Sequence, residues 1–335
     1  MRAIVQDRYS PPDRLRLAEV PTPAVGSDEV LVRVHAASVH PDVWHVVTGR
    51  PRVLRLMGSG VRRPKQSIPG TDVAGVVVEV GSDVIQFRPG DAVFGDTVRG
   101  FSWRNGGAFA EYASVPEAGL QTKPANVSYA QAAAVPTTGY IALLNVPMPW
   151  LAPGQRVLVN GAGGGVGMFV VQVAKAHGVH VTGVDHTTKL DLVRSLGADQ
   201  VLDYTREDFT HGDQRYDLIV DIPGNHPFSA CRRVLTSDGR YVLIGHDQYG
   251  QAGRRWLGSL PRFGALTARS SVDRHLRRGG EKPPSKPEAM ATLRSLLESG
   301  LLAPVIDRTY PLDQAADAIT YLASGQAQGR VVLTI

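Results

Sequence analysis

Apolar positions in the first 120 residues come in short alternating runs. VLVRVHAASV at 30–39 has the period of two that sends neighbouring side chains to opposite faces of a strand. DVAGVVVEVG at 72–81 is a valine-rich strand, and DAVFGD at 91–96 and GAFAEYASV at 107–115 repeat the pattern between Gly and Pro breaks. This spacing predicts a compact β-rich domain. From about residue 128 the period changes. Apolar runs such as RVLVN, VHVTGVD, YDLIVD and RYVLIG now alternate with helical stretches of ten to fifteen residues, which predicts βαβ units and a parallel sheet. Residues 286–301 carry an amphipathic helical pattern. The tail VIDRTYPLDQAADAITYLASGQAQGRVVLTI closes with a helix and a strand that resemble the first domain more than the second. The expected class is α/β in two domains.

Size and composition narrow the function. At 335 residues the chain is long enough for two cores, and 43% apolar with 20% charged residues is an ordinary globular balance. It contains no run of eighteen apolar residues, and MRAIVQDRYS has no apolar signal region, so the expectation is no membrane partner and a cytoplasmic location. The single cysteine, Cys231, rules out an internal disulfide and a Cys-rich metal lobe, and is expected to be a small buried hydrophobe. The net charge of +5 is the excess of 36 Lys and Arg, 30 of them Arg, over 31 Asp and Glu, with much of the positive charge at 49–65 and 254–282. Nucleic-acid binding calls for stacking aromatics among these arginines, and only Trp256 and Phe263 are present. The expectation is no nucleic-acid partner, and basic faces that attract an anionic cofactor or substrate.

The strongest local signal is RVLVNGAGGGVGMFVVQVAKAHG at 156–178, a strand that runs into a glycine turn and then a helix. The small residues Ala162, Gly163, Gly164, Gly165 and Gly167, with Val166, allow a tight turn and let backbone N–H groups approach a pyrophosphate at the positive end of the helix. The next strand ends at Asp185. A carboxylate there would accept from a ribose 2′-hydroxyl and repel a 2′-phosphate, favouring NADH, whereas His186, Thr187 and Lys189 could cradle a phosphate and favour NADPH. Asp185 could equally cap the following helix. Elsewhere, HPDVWH at 40–45 gathers two histidines, an aspartate and a tryptophan within six positions, as around a metal, a proton donor, or ordinary packing.

On VLVRVHAASVHPDVW, PGTDVAGVVVEVG, FRPGDAVFG, GGAFAEYASVP, AAAVPTTGYIAL, NGAGGGVG, RSLGADQVLDY and GRVVLTI, the chain resembles the medium-chain dehydrogenase/reductase superfamily, in its zinc-independent quinone oxidoreductase branch. The resemblance covers essentially the whole chain. It implies a GroES-like β-barrel domain formed by 1–124 and 303–335, a Rossmann doubly wound domain at 125–302, and an active site between them. Zinc-dependent members supply a Cys at the start of the first motif, a His in GHE, and a Cys or Asp four residues before a Thr-Gly-Tyr-like turn. Those places hold His40, Thr71 and Ala134 here, whereas catalytic zinc takes about three protein ligands. No metal is expected.

Reducing a carbon–carbon double bond conjugated to a carbonyl does not need the Lewis acid that alcohol oxidation needs. The expected activity is therefore NAD(P)H-dependent, metal-free hydride transfer to a small-molecule quinone or α,β-unsaturated carbonyl. Two other readings stand beside it. One is a biosynthetic enoyl reductase or reductive cyclase acting on a large lipophilic intermediate, and the other a non-catalytic nucleotide sensor or scaffold. Relatives read N-P-x-D where this chain has His40 and Val43, so His40, His45 and Thr71 are the catalytic candidates, with Trp44, Asp72 and Trp256 beside the substrate. The resemblance places Thr138 and Gly139 at the nicotinamide, Tyr204 over the adenine or ribose, Pro223 and Gly245 at strand ends lining the cofactor, and Arg330 on a phosphate or in a surface salt bridge. In 250–283, Trp256, Leu257, Leu260, Phe263 and Leu266 could bind a lipophilic substrate or cover a homodimer interface.

Overall fold

The computed structural model describes residues 1–100, 106–146, 151–245, 256–276 and 283–335. In chain order its elements are β1 (Arg2–Val5), β2 (Arg16–Glu19), β3 (Glu29–Val39), α1 (Pro41–Thr48), β4 (Asp72–Val80), β5 (Ala92–Asp96), β6 (Tyr112–Pro116), β7 (Leu120–Thr122), α2 (Tyr129–Ala133), α3 (Pro136–Asn145), β8 (Arg156–Asn160), α4 (Gly165–Ala176), β9 (His180–Asp185), α5 (Leu190–Ser195), β10 (Gln200–Asp203), β11 (Tyr216–Asp221), α6 (Phe228–Arg233), β12 (Leu235–Leu243), α7 (Leu260–Arg269), α8 (Lys286–Glu298), β13 (Ile306–Pro311), α9 (Ala315–Ala323) and β14 (Arg330–Thr334). They group into two compact units. The first comprises Met1–Tyr140, Tyr249–Trp256 and Ser285–Ile335, and the second Ile141–Gln248 and Leu257–Pro284.

The first unit is organised around β3. Its eleven residues pair with β4 along most of their length, with β6 through the first half and with β14 through the second, giving the order β13-β14-β3-β4-β5-β7 with β6 also on β3. Register shifts after Leu31 and Val34 bend the strand so that it can serve three neighbours. Alternate residues Val30, Val32, Val34, Ala37 and Val39 enter a core shared with Val73, Val77, Phe109, Val331 and Leu333. The tail returns to this unit as its pattern suggests: β14 lies antiparallel to β3, and α9 buries Ala315, Ala318, Ile319 and Leu322, one face of a helix, against the same core. Beyond Val39, Pro41 pre-sets the first turn of α1, and Gly49 ends it at φ 60°.

The second unit is a five-stranded parallel sheet in the order β10-β9-β8-β11-β12. Its chain starts in the middle at β8, winds outward to β10, then crosses back to β11. The switch point between β8 and β11 therefore leaves a crevice at the carboxyl ends of these two strands, where such sheets receive ligands.

Candidate functional site

In the second unit, β8 runs into Gly161, held at φ 84°, and the turn folds back on β9. The Gly163 N–H donates to Asp185 Oδ2 at 2.7 Å, and Asp185 Oδ1 accepts from the His186 N–H at 2.8 Å. Asp185 thus ties the glycine turn to the next strand end. Helix α4 starts with Gly164 as its N-cap and no side chain over its first turn, so the N–H groups of Gly165, Val166 and Gly167 lack a side-chain cap. A Cβ on Gly167 would lie 2.1 Å from Gly161 O and 2.8 Å from Ala162 Cα, so only glycine lets helix and turn close this tightly. The cradle fits a pyrophosphate.

Around this turn the other candidates fall into place unevenly. Lys189 packs beside Gly163, its Cβ 3.0 Å from where a Gly163 side chain would begin, and the half-exposed Tyr204 ring lies 5.8 Å from the ring of His186. Thr187, by contrast, is committed: its hydroxyl donates to Asp203 and, with Thr205, holds that carboxyl down at about 2. The phosphate cradle read from His186, Thr187 and Lys189 therefore loses its hydroxyl. Pro223 Cδ closes on Gly161, and Gly245 (φ 71°) makes room for Phe263. Behind them the buried Asp221 accepts from Asn160, from the Gly224 N–H and from the Tyr241 hydroxyl at 2.7 Å. Phe263 and Leu266 pack against the core of this unit, whereas Leu257 is exposed. Cys231 is buried, as expected, and burial pushes its thiol up to about 12.

In the first unit the antiparallel pairing of β3 with β4 brings the end of one beside the start of the other, Ala37 opposite Val73. His40 and Thr71 meet there, His40 Nε2 3.0 Å from Thr71 Oγ1. Thr71 Oγ1 donates to Asp72 Oδ1 at 3.3 Å, so it accepts from His40, and the imidazole carries its hydrogen on Nε2. Asp72 is fully buried and satisfied from all sides: Ser38 Oγ donates at 2.9 Å, Thr137 Oγ1 at 2.5 Å and the Thr137 N–H at 3.2 Å. The last contact caps α3 with a carboxylate, where the helix dipole favours negative charge. Burial raises the Asp72 pKa, opposed by the hydrogen bond from Thr137 and the positive charge of Arg330. Asp42 Oδ2 and Asp72 Oδ1 each lie 4.0 Å from a ring nitrogen of His40, one on either side.

The remaining candidates make the following contacts. His45 is buried, and its Nδ1 donates to Arg50 O at 2.7 Å, fastening the turn after α1. Trp44 packs into the core. Trp256 is 66% exposed with the Arg52 guanidinium 4.5 Å from its ring centroid. Thr138 donates to Ala134 O at 3.0 Å, and the missing side chain of Gly139 makes room for Leu293, 2.7 Å from a would-be Cβ. Arg330 is 2% exposed, so it is no surface residue, and its Nη2 donates to Ser38 Oγ at 3.1 Å. Ser38, Thr137 and the pairing of the buried Asp96 with the partly exposed Lys286 escaped sequence reasoning. The signal for Thr137 was its place just inside a helix start, after Pro136.

The three zinc-ligand positions hold an imidazole bonded to a threonine, that threonine, and the buried methyl of Ala134. This donor set does not fit catalytic zinc. Among the described residues no group of three or more His, Cys, Asp or Glu side chains could hold a metal ion.

Residues 26–125 match a family described as "Alcohol dehydrogenase GroES-like domain" and 196–333 one described as "Zinc-binding dehydrogenase". The chain is 32% identical to the "2-methylene-furan-3-one reductase" of Solanum lycopersicum over 99% of its length and 79% of that protein. It is 31% identical, with the same coverage, to the "NADPH-dependent alkenal/one oxidoreductase, chloroplastic" of Arabidopsis thaliana. The chain belongs to the medium-chain dehydrogenase/reductase superfamily, in its quinone oxidoreductase-like branch. Its fold agrees. The quinone oxidoreductase of Coxiella burnetii superposes with a TM-score of 0.82 at 27% identity, covering 100% of this chain and 99% of that one. The mixed sheet is the GroES-like part and the parallel sheet the Rossmann part.

The expected cytoplasmic location is corrected by the relatives, whose names place them in chloroplasts (Arabidopsis thaliana, Spinacia oleracea) or mitochondria (Mus musculus). That expectation rested on missing apolar segments, which bear only on spanning a membrane. Among the described residues no helix is long and apolar enough to cross one.

Proposed function

We propose that the protein is a metal-free reductase that uses NAD(P)H to reduce quinones and α,β-unsaturated ketones or aldehydes, with 1–124 and 303–335 as the substrate side and 125–302 as the cofactor side. Membership of the quinone oxidoreductase-like branch supports the reaction class, as do relatives named for alkenal and furanone reduction. The observation that carries the metal-free reading is the His40–Thr71–Asp72 chain of hydrogen bonds, which occupies two of the three zinc-ligand positions while Ala134 fills the third without a donor.

Bound NAD(P)H would supply a hydride to the β-carbon of an enone or to a quinone. The chain's own residues do the rest. The first-turn N–H groups of α4 receive the pyrophosphate, Lys189 and Tyr204 flank the adenosine end, and Thr138 with Gly139 stands at the nicotinamide. Asp185, its two oxygens each accepting a backbone N–H, is held as an oriented carboxylate that accepts a ribose hydroxyl and repels a 2′-phosphate. This supports a preference for NADH, in contrast to the Arabidopsis relative named for NADPH. His40, with Asp42 and Asp72 each 4.0 Å from one of its ring nitrogens, holds the proton that completes the reduction. The exposed Trp256 offers an apolar face to a lipophilic acceptor.

Stopped-flow oxidation of NADH and NADPH with a panel of enones and quinones tests the reading. Faster turnover with NADH, unchanged after treatment with a zinc chelator, is expected. Cofactor binding without oxidation by any acceptor would refute it, and activity abolished by the chelator and restored by Zn²⁺ would refute the metal-free part.

A further inference from the structure

His40 is 2% exposed, whereas Thr137 beside it is only partly buried and is the more accessible donor. The geometry around Asp72 shows how the proton of His40 can leave. The two oxygens of Asp72 are not equivalent. Oδ2 accepts from the backbone N–H of Thr137 and from Ser38 Oγ, whose oxygen accepts in turn from Arg330 Nη2. These donors are fixed by a helix turn and a buried guanidinium. Oδ1 accepts from two threonine hydroxyls, Thr71 and Thr137, each of which can rotate and can both give and take a hydrogen. One oxygen anchors, and the other joins two exchangeable protons.

The chain is continuous from His40 Nε2 to Thr71 Oγ1 at 3.0 Å, to Asp72 Oδ1 at 3.3 Å, to Thr137 Oγ1 at 2.5 Å. Thr137 is only half-buried, and with His40, Asp42 and Thr71 it lines a cavity of about 20 Å³, room for a single water. We propose that Thr137 delivers the proton to the reduced substrate, resupplied from His40 through Thr71 and Oδ1 of Asp72. This rests on the reductase reading above.

The transfer balances. The Thr137 hydroxyl turns its hydrogen from Asp72 Oδ1 to the substrate oxyanion left by hydride addition and gives it up there. Thr137 takes one from Oδ1 of Asp72, Asp72 from Thr71, and Thr71 from Nε2 of the His40 imidazolium, which ends neutral with its hydrogen on Nδ1. One proton moves from imidazolium to oxyanion, and Asp72 ends as it began. Burial raises the proton affinity of Asp72, opposed by Thr137, Arg330, Ser38 and Lys286.

The test uses the full chain with NADH and pent-1-en-3-one. Thr137→Val is expected to lower kcat about a hundredfold, the usual scale of a lost general acid, with KM and NADH binding within about threefold. Thr137→Ser is expected to restore most of it, which a packing defect of the valine would not explain. A proton inventory in H₂O/D₂O mixtures is expected to be curved for the wild type, from several protons in flight, and linear for Thr71→Ala. Thr137→Val with kcat within twofold of wild type, or a serine variant as slow as the valine, overturns the relay and leaves the reductase reading standing. A wild type that oxidises neither NADH nor NADPH with any enone or quinone overturns both.

Discussion

A methyl group at Gly167 is the sharpest probe of the cofactor turn. Its Cβ would sit 2.1 Å from Gly161 O and 2.8 Å from Ala162 Cα, whereas contacts under 3.0 Å are essentially never tolerated. Both obstacles are backbone, so no rotamer relieves them, and α4 must retreat from the turn by about 1 Å. Alanine gains about 1 kcal/mol of helix propensity over glycine, while forced overpacking costs about 1–3 kcal/mol, so stability changes little or falls slightly. Binding is hit harder. If the retreat breaks two backbone N–H bonds to the pyrophosphate, each worth about 1.5–3 kcal/mol with a charged acceptor, the Kd for NADH rises at least about a hundredfold. Gly264→Ala, on α7 with nothing within 4 Å of its Cβ, is the control and should bind as wild type. Titration of NADH fluorescence together with thermal unfolding reads both. A Gly167→Ala protein whose Kd stays within threefold would show that the pyrophosphate does not sit on this turn.

Three further outcomes follow from the same geometry. Asp185→Ser should shift the kcat/KM ratio towards NADPH by about tenfold or more, roughly the 1.4 kcal/mol expected from removing one repelling charge, and an unmoved ratio would assign cofactor choice to His186 and Lys189. Arg330→Met leaves the buried Asp72 without the stronger of its two nearby positive charges and should cost about 3–5 kcal/mol in urea unfolding. Adding Asp72→Asn should recover more than about 1 kcal/mol of that, and strict additivity would refute the coupling. Cys231, pushed from an ordinary 9.0 up to about 12, keeps a proton that the unfolded chain loses. Rising pH between 9 and about 12 therefore favours unfolding by up to about 1.4 kcal/mol per unit through this group, and Cys231→Ala should flatten that slope.

Much of the fold was legible because it depends on local periods. The change from alternation in two to strand–helix alternation marked the two sheets, and the glycine turn announced α4 because a strand, small residues and an apolar helix follow one another without a gap. The tail's return to the first sheet was readable from its strand-like ending. The site was legible only in part. His40 and Thr71 were singled out as occupants of motif positions, but that they bond to each other depends on the antiparallel register of β3 and β4. Asp72 gathers partners 34 and 65 residues away, and Arg330 reaches Ser38 across 292 residues. A lone arginine before a terminal strand reads as a surface charge or a phosphate ligand, and only the packed sheet shows it inside. Phe263 and Leu266 mislead in the opposite sense: an amphipathic helix in a basic segment looks like an exposed binding face until its apolar side is seen to cover the core.

The matched family is described as a zinc-binding dehydrogenase, whereas the donor set of this chain does not fit zinc, and the role proposed for the Asp72 network reconciles the two. A catalytic metal stabilises developing negative charge on a substrate oxygen with its own positive charge. Without one, that charge must be met by a proton, and a proton must be held close to the site yet out of bulk water. A buried carboxylate with one oxygen fixed by Ser38 and the Thr137 N–H and the other open to two hydroxyls meets that need, provided its own charge is balanced. Arg330 and Lys286 supply the balance from sequence positions far from any metal motif. On the metal-free reading, removing either cation should therefore disturb proton delivery as well as folding, and a variant that lost stability while keeping the wild-type proton inventory would separate the network's structural role from its chemical one.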